Sequence, residues 1–425
     1  MRISRKRALA VLRRTIAAPL LAWAALCASS CAPEESRVAI LWTDRPDFAF
    51  YVQYFNASQD RYMVEVFHHD FPAQRLRDSP ELPDIVVASW LQGASARAFF
   101  TPMDEYLYGE SQIEYAFYSG LLAKGNVGGT QYLLPVSFNA PLAVFAAEHS
   151  GLLCGPLAVG LEEMRDLGRS FNAMAGGVHA RMGFSPTWDD NFLLVIADIF
   201  GASFAEADPV DWDSEALGLA LEFASNWIAV ANAGAQATEN FTFRFFNIPP
   251  AGMALSGRIL FAYMDSAEFF TLAEDQRESL DFRWIAERDS IPLAESAAYL
   301  GLVRGGRAPG AADAFVRWFF SADAQRALLE RSHKFRQMET SFGIADGFSA
   351  LRPVTEQIFP TFYPDLLGRI PPEDFFSPAG ILPDDWAPMK EQVVLPYLRE
   401  RAMRPGGGGL PLETRLADWA RLNRF

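Results

Sequence analysis

Residues 37–67 read RVAILWTDRPDFAFYVQYFNASQDRYMVEVF, and the fold turns on how this stretch divides. Val38–Trp42 is a short apolar run that reads as a buried strand. Phe48, Tyr51, Val52 and Phe55 recur at three and four residues, the spacing of one helix face. Met63, Val64, Val66 and Phe67 supply a second strand, so the unit is β-α-β with a parallel pair and a right-handed crossover. In open α/β sheets ligands sit beyond the carboxyl ends of the strands. The loop at that end is Thr43-Asp44-Arg45-Pro46, rich in hydrogen-bonding groups for a tight turn, and it is the first place to look for a ligand.

Upstream, Arg2, Arg5, Lys6, Arg7, Arg13 and Arg14 precede an apolar core from about Ile16 to Ala28. A basic segment followed by a short apolar one is the pattern of a secretory signal, too short to span a bilayer comfortably. Residues 1–30 are therefore expected to be a signal peptide. The small residues Ala28-Ser29-Ser30 before Cys31 resemble a bacterial lipobox, with Ala28 where Leu is usual. Cys31 is then the lipidation site, and 31–36 a lipid-anchored linker. Arg13-Arg14 is a weak twin-arginine cue, and general secretion is the expected route. Removing the leader takes Cys27 and leaves Cys31 and Cys154, which gives no disulfide framework. Beside Leu152 and Leu153, Cys154 reads as a small buried apolar residue.

The chain carries a formal net charge of −15, and without the six basic residues of the leader the remainder is near −21. No basic patch follows the leader, which excludes a nucleic-acid partner. No later stretch is long and apolar enough to span a membrane, so the expected protein is exported and anchored, on the periplasmic or extracellular face.

Further along, Ile85–Ala88 reads as a third buried strand with Ser89-Trp90 at its carboxyl end, and Leu91–Phe100 as helix. Tyr132–Val136 and Leu142–Phe145 are extended segments broken by Ser137-Phe138-Asn139. Pro135 and Pro141 argue against central ladders there and for a crossing between two lobes. Trp188-Asp189-Asp190 opens the apolar helix Asn191–Ile199, where free N–H groups and the dipole suit polar partners. Met182–Ser185 reads as a short strand, and Asp213 or Ser214 as a helix cap. Ile259–Met264 is a strand ending at Asp265-Ser266-Ala267-Glu268. Ile291-Pro292 marks a second crossing. Ala311–Phe320 and Ala322–Arg331 are helices joined at Ser321. A proline-dense region follows, then Gly406 to Gly409. The last helix carries Leu412, Leu416, Trp419 and Leu422 on one side.

Enzyme signatures are missing: there is no G-x-S-x-G, no phosphate loop ending in Lys-Ser/Thr and no H-E-x-x-H. His68-His69-Asp70 lie next to one another on a strand and so point to opposite faces, which favours plain surface histidines over a metal site. Asp189-Asp190 and Asp384-Asp385 read as a helix start and a turn rather than catalytic pairs, which must face each other across a cleft. No catalytic residue, metal or cofactor is expected. What recurs is a polar-plus-aromatic cluster at strand ends: Asp44-Arg45, Ser89-Trp90, Trp188-Asp189 and Asp265-Ser266. Flat rings suit the CH faces of a sugar, and Asp, Asn and Arg suit its hydroxyls. In a chain this rich in aromatics, such rings also serve the core.

VAILWTDRPDFAFYVQYFN, PDIVVASW, QYLLPVSFNAPLAVF, ALSGRILFAYMDSAEF and AADAFVRWFFSADAQRALLER together resemble successive landmarks of family 1 extracellular solute-binding proteins, the carbohydrate-type receptors of bacterial ABC importers. The resemblance implies an α/β, two-lobe periplasmic-binding-protein type II fold, each lobe a mixed, mostly parallel sheet flanked by helices and joined by hinge crossings. It implies lobe I from 37–138 and 292–343, lobe II from 139–291 and 344–403 with the late segments partly spanning the hinge, and a glycine hinge with a C-terminal helix at 404–425. Carried over residue by residue, the ligand-binding positions are Asp44, Arg45, Ser89, Trp90, Asn139, Trp188, Asp265 and Trp386. The implied partners are a small-molecule solute of carbohydrate type, the transmembrane subunits of an ABC permease and the membrane through the lipid anchor, with the protein a monomer. Two departures, the proline-dense late region and Asp265-Ser266-Ala267-Glu268 in place of a Gly-aromatic ending, leave the ligand's identity open. The alternatives are a secreted glycan-active enzyme with cleft carboxylates, or a surface lipoprotein reusing the fold as adhesin or sensor.

Overall fold

The computed structural model describes residues 36–108, 113–208, 210–407 and 409–423. The expected signal peptide and Cys31 lie outside them. β1 (Val38–Thr43), α1 (Asp47–Ser58) and β2 (Met63–His68) form the β-α-β unit read from the sequence, with Val38 opposite Met63 and Thr43 opposite His68 in a parallel pair. α1 buries Phe48, Tyr51, Val52 and Phe55, the face its periodicity predicts. Asn56, on the flank of that face, works as a strand substitute: its amide donates to Val64 O and accepts from Val64 N on the open edge of β2.

α2 (Pro72–Asp78) leads to β3 (Ile85–Ala88), which pairs parallel with β1. Only a single turn, α3 (Ala94–Arg97), forms where Leu91–Phe100 reads as helix. The chain first passes through a left-handed residue at Trp90 (φ +57°), which breaks helical geometry before it starts. β4 (Leu134–Phe138) completes its run in the first sheet, and after Asn139-Ala140 the chain enters the second sheet as β5 (Pro141–Ala146).

The second sheet takes β6 (Ala158–Val159), β7 (Ala262–Asp265) and β8 (Leu280–Ile285), with α4 (Asp190–Ile199), α5 (Ala235–Phe245) and α6 (Ser266–Phe270) placed around it. Met182–Ser185 is extended but joins no ladder; the Gly183 carbonyl instead accepts from both Leu260 and Phe261. β9 (Ile291–Pro292) returns the chain to the first lobe, where β10 (Ala298–Leu302), α7 (Pro309–Phe319), α8 (Ala322–Lys334) and β11 (Phe348–Ser349) follow. β12 (Phe376–Ser377) runs back beside β9 in a parallel pair, and α9 (Leu412–Asn423) ends the chain.

The larger sheet has the order β11-β4-β10-β3-β1-β2 and the smaller β7-β5-β8-β6. Both are mixed, with parallel pairs confined to β1–β2, β1–β3 and β6–β8 and the others antiparallel, so "mostly parallel" overstates their character. The cause is the crossings, because strands arriving directly from the other lobe run against their neighbours. β5 is central in its sheet despite Pro141, which is tolerated as its first residue. Pro135 sits beside a register shift in the β4–β10 ladder and beyond the part of β4 that β11 covers. Phe348–Ser349 pairs with β4 in the first sheet, whereas the sequence reading put residues from 344 onward in the second lobe. Gly347 makes this possible, since a Cβ there would stand 2.8 Å from Phe138 O.

Ser321 and Asp213 cap their helices as read, Ser321 accepting from Ala324 N and Asp213 from Glu215 N and Ala216 N. α9 docks Leu412, Leu416 and Trp419 on the second-lobe core, while Leu422 is exposed. Cys154 is also exposed rather than buried: it lies on a loop whose backbone N–H donates to Glu163, and its thiol is raised by that carboxylate. Phe48 of the first unit is fully buried, its ring 5.2 Å from that of Phe319. Phe48→Ala is expected to lower the unfolding free energy by about 3–5 kcal/mol in urea titrations, against within about 0.5 kcal/mol for Leu422→Ala.

Candidate functional site

At the carboxyl end of β1 and β3, three of the sequence-read residues form one network. Ser89 N donates to Asp44 Oδ2 (3.1 Å), Arg45 Nη2 donates to Ser89 Oγ (2.7 Å), and Arg45 Nε lies 3.3 Å from Asp44 Oδ1. Arg45 and Ser89 both donate to the Ser296 carbonyl, on the segment between β9 and β10. Burial raises the Asp44 carboxyl above its ordinary value, and the Arg45 guanidinium opposes this. Pinned by these bonds, the chain holds Trp90 in the left-handed region, which costs a non-glycine residue about 1 kcal/mol or more. The Trp90 ring then packs against the second-lobe core, and its indole N–H is buried without a partner.

On the second lobe, Asp189 caps α4 by accepting from Asn191 N at 2.8 Å. Trp188 precedes it, stacked on Phe241 with centroids 5.5 Å apart and edge-on to Phe184; its indole N–H is also buried and unpartnered. Asp265 and Glu268 form a capping box on α6, Glu268 N donating to Asp265 Oδ1 (2.8 Å) and Asp265 N to Glu268 Oε2 (3.1 Å). Tyr263 stands among them. Burial first, then Asp189, Asp265, Glu268 and Glu295, push its phenol well above the ordinary range.

The acids belong to a wider group. Burial and then Asp346 raise the Asp47 carboxyl, against a hydrogen bond from Ser341. Burial and then Asp346 also raise Asp265, against the N–H of Glu268. Asp47 belongs to the first lobe and Asp265 to the second, so Asp346 lies where the two meet. Lys390 supplies a cation there, 2.7 Å from Glu295 and 3.3 Å from Asn191. Asp47, Tyr263, Glu268, Glu295, Asp346 and Lys390 were not read as site residues. The D-x-x-E spacing of Asp265 and Glu268 is a cap signature that could have flagged that pair; the others carry no local signal.

Asn139 sits at the crossing with its amide fully engaged: Nδ2 donates to Asp346 O (2.7 Å) and Oδ1 accepts from Ser266 Oγ (2.6 Å). Its carbonyl accepts from Ala294 N, so the residue ties both crossings together. Trp386 differs from its expected role. It is 1% exposed, packed into the second-lobe core with Leu382 and Met389 and 5.4 Å from the Phe204 ring. Just before it, Arg77 pairs with Asp384 and Gln74 donates to Asp384 O. The Ala94 N–H is held by the Glu206 carboxylate, another contact between the lobes.

Among the described residues no group of three or more His, Cys, Asp or Glu is arranged to hold a metal ion, and no helix is long and apolar enough to cross a membrane.

No protein-family model and no curated protein matches the sequence. Solved structures do. An ABC substrate-binding protein from Listeria monocytogenes in complex with cycloalternan superimposes with a TM-score of 0.61 at 13% identity, over 91% of this chain and 98% of that one. The cyclic α-maltosyl-1,6-maltose binding protein of Arthrobacter globiformis gives 0.60 at 15% identity over 89% and 96%. The maltose-maltodextrin binding protein of the thermoacidophilic bacterium Alicyclobacillus acidocaldarius gives 0.57 at 13% over 90% and 99%. The class defined is one of fold: the chain has the two-lobe α/β architecture of these sugar-binding ABC substrate-binding proteins across nearly its whole length.

Two measurements check the site's electrostatics and its cap. Asp198, near the end of α4, lines a cavity of about 500 Å³ beside Pro292 and Ser377, and burial and then Glu295 push its carboxyl up to about 7. The folded chain keeps a proton that the unfolded chain releases near pH 4, so this group's contribution to stability falls as pH rises between those values. Asp198→Asn is expected to raise the melting temperature at pH 8 and leave it unchanged below pH 4. Asp265→Ala, which removes the cap of α6, is expected to cost about 1 kcal/mol in chemical denaturation, and Asp265→Asn much less.

Proposed function

We propose that this protein is a lipid-anchored, extracytoplasmic substrate-binding protein of an ABC importer that takes a saccharide in the crevice between its lobes and delivers it to a membrane permease. The observation that supports this reading is a pair of links across the lobes: Arg45 and Ser89 donate to the Ser296 carbonyl while the adjacent Glu295 pairs with Lys390 and acts on Tyr263, and Asp346 acts on both Asp47 and Asp265. Among the similar structures, one was solved in complex with cycloalternan and another, a cyclo/maltodextrin-binding protein, with maltotetraose, and this supports a saccharide as the ligand class. Carboxylates held by capping bonds accept hydroxyl donors, and the two unpartnered indole N–H groups offer donors of their own.

Ligand that touches both lobes favours the closed arrangement by its differential affinity for it, with motion absorbed at the crossings around Asn139 and Ile291–Pro292. The lobes follow 37–138 with 292–343, and 139–291 with 344–403, the late segments partly spanning the hinge: Phe348–Ser349 pairs with β4, and Ala350 and Leu351 bond first-lobe backbone as well. The anchor is the acylated Cys31, the receptor acts as a monomer, and it turns nothing over. No observation favours the enzyme or adhesin reading.

Isothermal titration with malto- and manno-oligosaccharides checks the assignment. Micromolar or tighter binding is expected for at least one, weakened at least about tenfold in Trp188→Ala. Lack of binding across sugars, polyols and peptides, with the protein folded, would overturn it. Labelled fatty acid is expected to enter the full-length protein in bacterial cells and to be lost in Cys31→Ser.

A further inference from the structure

Beside Trp188 the second lobe carries a half-open cavity of about 190 Å³. Its walls include Phe184, Trp188, Phe241, Phe245, Met253 and Ile259. The polar side chains on it are few: Asp189, Thr242 and Tyr263. Asp189 and Tyr263 also belong to the acid group between the lobes, so the cavity shares these two residues with the proposed saccharide site. The Trp188 indole N–H is buried and unpartnered. The rings are locked by one another, Trp188 stacked on Phe241 and Phe241 edge-on to Phe245 at 4.9 Å, so the space is preformed.

We infer that this cavity receives a single aromatic ring carried by the ligand, whose polar part lies in the crevice. The inference rests on the saccharide reading and narrows it to aryl-substituted saccharides. Apolar cavities of roughly 150 Å³ lined by Leu, Ile and Phe take up benzene, so this volume suits one ring with its linking atom. A sugar unit does not suit it. Hydroxyls buried among these walls would outnumber the polar partners, and each unpaired one opposes binding. The outer rim adds Phe246, exposed and stacked 6.3 Å from the exposed Phe243, which extends the apolar surface outward from the cavity.

Two titrations test it. In the first, methyl and phenyl glycosides of glucose, mannose and maltose are compared by calorimetry on the wild type and on Thr242→Trp, which fills the cavity from an exposed position on α5. In the second, fluorobenzyl alcohol alone is followed by fluorine NMR on both proteins. The phenyl glycoside of the bound sugar is expected to bind at least about tenfold more tightly than its methyl counterpart, and the gain to vanish in Thr242→Trp. Equal affinities for methyl and phenyl glycosides would overturn this inference and leave the saccharide reading standing. Fluorobenzyl alcohol bound by the wild type and not by the variant, with no glycoside bound, would support the ring site and overturn the saccharide reading. No response to either probe overturns both. Should Thr242→Trp lose its fold by circular dichroism, Met253→Phe narrows the same space from another wall and serves in its place.

Discussion

The architecture depends on one residue's hydrogen bonds. At Asn139 the chain leaves the first sheet for the second, and a backbone that changes sheets loses its ladder partners on both sides. The Asn139 carbonyl is satisfied by Ala294 of the return crossing, and its amide by Asp346 O and Ser266 Oγ. Ser266 in turn donates its N–H to Ala140 O and accepts from Ala140 N. Two crossings, the start of α6 and the loop bearing Asp346 are therefore bound at a single point. The backbone at the joint between the lobes is thus paired although it belongs to neither ladder.

Around that joint the charge is one-sided. Asp47, Asp189, Asp265, Glu268, Glu295 and Asp346 approach one another from both lobes, and Arg45 and Lys390 answer them. Several of these acids are raised by burial and by each other, so the pocket pays an electrostatic cost that ligand hydroxyls can offset by donating to them. Contacts farther out hold the lobes together: Arg77 with Asp384, the Ala94 N–H with Glu206, and Trp90 against the second core.

The first unit was legible because periodicity decides it: four aromatic or branched side chains on one helix face leave no alternative register for residues 47–58. Asp44, Arg45 and Ser89 were legible for the same reason, since strand ends fix where such loops must lie. Caps at Asp213 and Ser321 follow from local chemistry. What the sequence could not carry was long-range. The proximity of Asp346 to both Asp47 and Asp265 depends on a turn that places Ala345 and Asp346 at positive φ and on Gly347 meeting Phe138. Trp386 entered the ligand-binding set through the family resemblance alone; the packing of Phe204 beside it shows a core residue. Cys154 was misread because two leucines beside it suggested a core, although Leu152 is itself exposed on that loop.

The central claim is that ligand bridges the two lobes and draws them together about the Asn139 joint. Pulsed electron spin resonance tests this on Phe67→Cys, Leu219→Cys protein in a Cys154→Ser background, both label positions being exposed and one standing on each lobe. The account predicts that the distance distribution between the labels narrows and shifts to shorter values when a saccharide found by calorimetry is added. Binding by calorimetry with an unchanged distribution would contradict it.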